Sequence, residues 1–88
     1  MDSTQIFMLD NLLRVLPMND LDRARTKLLE DLKDRAVEIA DLVEKGQDSG
    51  LETLLKERAM LKLYISRIEI QQNLLILKEQ DNKVITVI

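Results

Sequence analysis

Ser3, Ser49 and Ser66 are the three serines of this chain, and no residue type that ordinarily activates a serine accompanies them. There is no His and no Cys among the 88 residues. A hydroxyl is a weak nucleophile until a neighbouring base takes its proton, and that base is most often His. Each serine instead falls at a helix start or on a helix face, with no base in a recognisable relation to it. Gly46 and Gly50 are too sparse for a phosphate-cradling loop, which needs a denser glycine pattern running into a helix. The sequence therefore predicts no catalysis, no cofactor and no small-molecule substrate.

Metal chemistry fares no better. Bundle-type di-iron sites pair Glu with Glu-x-x-His, and His is missing. Asp31 with Asp34, and Glu38 with Asp41, are spaced to share a helix face. Both pairs lie among Lys and Arg, so a solvated charge face is the simpler reading. A basic cluster at Arg23, Arg25, Lys27, Lys33 and Arg35 is met by Asp20, Asp22, Glu30, Asp31 and Asp34, five charges of each sign. Phe7 and Tyr64 are the only aromatics available for stacking on bases. Net charge is −3, so no basic field exists to neutralise phosphates. Small dimeric helical hairpins that grip structured RNA are the alternative function class.

The elements that carry these residues read as all-α. One Pro and two Gly leave little material for the turns of a sandwich or barrel. Hydrophobic residues reach 45%, too many for a disordered chain, and charged residues 33%, with signs interspersed as on long solvated helices. The absence of Cys in so small a domain favours an intracellular, cytoplasmic setting. Met1-Asp2-Ser3 lacks the basic start of a signal peptide. The uninterrupted apolar run Leu74 to Leu77 is far short of the ~18 residues needed to span a bilayer.

Residues 4–16 predict a short first helix, capped by Ser3 or Thr4 and apolar at Ile6, Leu9, Leu13 and Leu16, with Phe7, Met8, Leu12 and Val15 beside them. Pro17 ends it. A second helix over about 20–45 has Asn19 as N-cap. At 100° per residue from Leu21, the side chains of Leu28, Leu32, Ala36, Ile39 and Val43 fall within about 60° of it. Arg25 sits in that stripe, its stem on the core edge and its head toward water. Asp31 with Arg35 and Asp41 with Lys45 have favourable i,i+4 spacing. Lys45-Gly46 is a normal helix end.

Gly46 to Gly50 is one short loop, and Ser49 with Glu52 has the spacing of a capping box. So short a connection joins antiparallel neighbours. The third helix, about 51–80, carries two apolar faces. Leu54, Leu61, Ile65, Ile68 and Leu75, with Arg58 and Gln72 between them, keep a 4-3 heptad spacing. Met60, Leu63, Ile70, Leu74 and Leu77 lie opposite, and Arg67-Gln71-Lys78 is one of two thin polar strips. Lys83 to Ile88 turns Val/Ile-rich, which favours a flexible or extended tail over 81–88. Its end, Thr86-Val87-Ile88, weakly fits a strand-adding C-terminal ligand.

A single domain over 1–88 follows: an antiparallel hairpin preceded by a short docking helix. Its intra-hairpin core is Leu21, Leu28, Leu32, Ile39, Val43, Leu54, Leu61, Ile65, Ile68 and Leu75. Helix one is expected beside Ile70, Leu74 and Leu77, too short to cover Met60, Leu63 and Leu55 as well. A bare apolar stripe marks an interface. The expectation is a homodimer or hetero-oligomer with another helical protein, meeting at Met60, Leu63, Ile70, Leu74, Leu77, Phe7 and Leu12. The corresponding function is a non-catalytic, coiled-coil-like adaptor, assembly co-factor or regulatory subunit.

Overall fold

The structure, a computed structural model, describes the backbone of residues 2–87 and the side chains of residues 2–80. Among the described residues the chain forms α1 (Ser3–Arg14), α2 (Met18–Glu44) and α3 (Leu51–Val87). The helical hairpin expected from the loop length is present, with α2 packed along α3. Its antiparallel sense is fixed by side-chain pairs: Asp22 meets Gln72, Arg25 meets Glu69 and Arg35 meets Glu57. α1 runs the other way along α3, with Asp10 at Arg67 and Leu16 at Leu75. The whole is a rod of 64 × 25 × 16 Å.

Local chemistry explains the boundaries, and three caps differ from expectation. Asp2, not Ser3 or Thr4, caps α1: its carboxylate accepts from the Gln5 backbone N–H at 2.9 Å while the Gln5 side chain accepts from the Asp2 N–H at 3.1 Å. The reciprocal box satisfies two orphan donors where Ser3 offers none. α2 starts two residues earlier than Asn19 implies, with Pro17 in the cap place and no side-chain cap. A Pro has no N–H to leave unsatisfied, and its fixed φ suits a helix entry. At α3 the Leu54 N–H donates to the Gly50 carbonyl, so Gly50 precedes the first turn. Glu52 pairs with Lys56 at 3.2 Å rather than completing a box with Ser49.

The end of α2 is a Schellman closure. Gly46 adopts φ +68, and the N–H groups of Gly46 and Gln47 donate to the carbonyls of Val43 and Leu42. The left-handed residue has to be one without a Cβ penalty, which Gly46 supplies. α3 continues to Val87, past the end expected near Gln80, so the backbone over 81–87 is helical rather than extended. Val and Ile lower helix propensity by only a few tenths of a kcal/mol, and propagation from an existing helix is far easier than nucleation. The terminal Thr86-Val87-Ile88 motif lies outside the residues whose side chains are described.

The core forms where all three helices meet. Leu13, Leu21 and Ile68 are buried together, with Leu9, Leu16, Ala24, Leu28 and Leu75 packed around them. Ile39 and Ile65 are buried further along the hairpin. Leu32, Leu54 and Leu61 are half-buried, as are Arg58 and Gln72, so no residue of the 4-3 row on α3 is left open. Val43 departs from the expected core: it is exposed, as is Ala36, while Leu42 is half-buried. The cause is helical drift. A straight helix drifts about 20° per heptad relative to a packed seam. Over the three heptads from Leu21 the seam follows 21, 28, 35 and 42, and Val43 is carried to the solvent side.

Candidate interaction surface

The groove between α2 and α3 accepts α1 on one side only. Leu9, Leu13 and Leu16 fill it, and one ion pair sets the register. The Arg67 Nε donates to Asp10 Oδ1 at 2.8 Å, and its Nη2 donates to Asp10 Oδ2. This fork is bidentate and three-quarters shielded, with side-chain exposures of 27% and 26%, the strong form of such a bond. Hydrogen bonding from Arg67 lowers the Asp10 pKa, partial burial opposes it, and the charges of Arg67 and Arg14 lower it further. Gln71, one turn on, is buried beside Arg14.

This docking corrects one expectation. α1 does not lie along Ile70, Leu74 and Leu77. It lies over Arg67, Ile68, Gln71 and Leu75, part of it the strip that patterning assigned to solvent. A carboxylate one turn from the core residue Leu13 recruits the arginine of that strip, and the apolar row beyond is left open. Neither Asp10 nor Arg67 stood out in the sequence, because their partnership spans 57 positions. The one available signal was a lone acidic residue beside the apolar stripe of helix one.

The open surface has two parts. On α3, Ile70 is 42%, Leu74 53% and Leu77 55% exposed, and Met60 is exposed as well, while Leu63 is half-buried. On α1, Phe7 is 63% and Leu12 67% exposed, and Met8 and Val15 join them. All the residues expected at an interface are thus solvent-accessible to some degree. Leu55 and Ile76 are exposed on the other flank of α3.

The polar candidates resolve into a charge lattice. Arg25 reaches Glu69 at 3.4 Å, Lys27 reaches Asp31 at 3.5 Å, and Arg35 meets Glu38 at 2.8 Å and Glu57 at 3.5 Å. Arg35 therefore ties α2 to α3 instead of pairing with Asp31, while Asp41 and Lys45 pair as their spacing implies, at 3.0 Å. Gln72 donates to Asp22 at 2.6 Å, a polar rung at the hairpin seam. Among the described residues no group of three or more acidic side chains is arranged to hold a metal ion. No helix of the described residues is long and apolar enough to cross a membrane. A shallow depression between α2 and α3 is lined by Asp31, Arg35, Glu57, Met60, Leu61 and Tyr64.

No family model, no curated protein and no solved structure matches this chain.

Proposed function

We propose that this protein is a non-catalytic protein–protein interaction module, an adaptor, assembly co-factor or regulatory subunit that works by helix-in-groove packing. The observation that carries the reading is the open row Ile70, Leu74 and Leu77 on a helix whose opposite face is already packed. An apolar stripe that repeats in heptads along a rigid helix is the recognition face of a bundle, and water is a poor partner for it. Burying three or four such side chains contributes on the order of 5–10 kcal/mol before association costs. The exposed side of α1 adds a second contact surface. The reading as an RNA-gripping hairpin loses support from the ion pairs, because Arg25, Lys27 and Arg35 are already engaged with carboxylates.

The test compares the native chain with Leu74→Glu as bait for cross-linked capture, with bound chains identified by mass. Leu74 is half-exposed and off the buried seam, so the variant should keep its helical circular dichroism. The expected result is a defined protein, this chain or another, held by the native bait and lost from the variant. A catch that is the same for both baits would remove the proposal.

A further inference from the structure

The occupant of the open α3 face is identifiable from its charges and its area. Between Leu63 and Leu77 only two charged residues occur, Arg67 and Glu69. Both are compensated within the chain, Arg67 by Asp10 and Glu69 by Arg25. A partner selected by charge finds nothing to hold along this stretch. A partner that presents an equally neutral apolar row does, and the chain itself carries one. With Arg67 taken up by Asp10 under α1, the open row is Leu63, Ile70, Leu74 and Leu77, whose 7-4-3 spacing is that of a heptad seam able to interlock with a second helix of the same kind. It runs about 21 Å along the helix axis.

The exposed area agrees with that occupant. The chain exposes 6792 Å², about 1,500 Å² more than a compact chain of its mass. Its radius of gyration is 17.4 Å, against about 12 Å for a compact domain of this length. A stable pair of proteins buries about 800 Å² on each side. The surplus, counted over the whole rod, exceeds that.

We propose that the face is filled by a second copy of this chain, packed antiparallel about a two-fold axis at Ile70. Ile70 is the midpoint of the neutral stretch, so this axis brings Leu63 opposite Leu77 of the partner subunit. A parallel pair would set the two helix dipoles side by side in the same direction, which disfavours it. This inference rests on the interaction reading above and names its partner.

The chain has no Cys, so introduced thiols report cleanly. Leu63→Cys and Leu77→Cys chains, one of them isotopically heavy, are mixed and oxidised. Mixed 63–77 disulfides should exceed the 63–63 and 77–77 products at least tenfold. Dominance of the like pairs would overturn the antiparallel arrangement. Sedimentation equilibrium of the native chain at tens of micromolar should give about twice the 10.2 kDa of one chain. Ile70→Glu should return it to the single-chain mass with its helicity kept, and Leu77→Glu should do the same. A native mass of one chain refutes the second copy. If the Leu74→Glu-sensitive capture then yields a different protein, the interaction reading survives without this inference; if it yields none, both fall.

Discussion

A single carboxylate decides where α1 lies. Asp10 and Arg67 satisfy each other through two parallel hydrogen bonds, and the guanidinium keeps the Asp10 carboxyl below the usual carboxylate range. The sign of the pH dependence follows. The folded pKa lies under the unfolded value of about 3.9, so the pair stabilises α1 docking fully above that value and is lost as pH falls through the lowered one. Acidification below about pH 4 should therefore weaken the docking of α1 in the groove. Amide NMR shifts over Ser3–Arg14 against pH measure this. Asp10→Asn, which keeps the shape and removes the charge, should weaken docking at neutral pH and abolish the acid step. An unchanged acid step in the variant would assign it to another group.

At the scale of the helices, most of the architecture is legible and the reasons are local. Gly46 marks the turn because its φ is positive there, and the 4-3 row on α3 reads directly because heptad spacing is what a packed seam requires. What pattern alone misses is drift and distant pairing. A fixed 3.6-residue wheel drawn from Leu21 selects Val43, whereas supercoiled packing selects Leu42. The two substitutions separate these frames. Leu42→Ala removes a half-buried side chain at the seam and should cost about 1–2 kcal/mol, below the range of fully buried leucines. Val43→Ala lies in solvent and should stay within about 0.5 kcal/mol of the native chain. Urea unfolding followed by circular dichroism gives both values, and the reverse order would restore the straight-helix core. The open face was legible as a surplus of apolar rows over available helices. The exact flank that α1 covers was not, since it depends on one ion pair between residues far apart in sequence.

At the scale of the molecule, the core is small for the length it must hold. Leu13, Leu21, Ile39, Ile65 and Ile68 are the buried apolar side chains among the described residues, and of these Leu21 alone is fully buried. Ordering each backbone residue costs about 1–2 kcal/mol, and chains of this size are marginal even when compact. A rod that leaves Ile70, Leu74 and Leu77 open has its missing stabilisation on that side. If a second copy covers them, association adds to the stability of each folded chain, and that stability must rise with concentration by mass action. A tenfold rise shifts the two-chain equilibrium by about 1.4 kcal/mol. For two chains of this combined length that is about 3–5 °C in Tm. Thermal unfolding between about 1 and 100 μM should therefore move upward by roughly 6–10 °C, and Ile70→Glu should unfold at one temperature throughout. A native Tm that does not move across the hundredfold range would mean that the three helices stand without help from a copy, and the small core would then have to account for the whole of the stability.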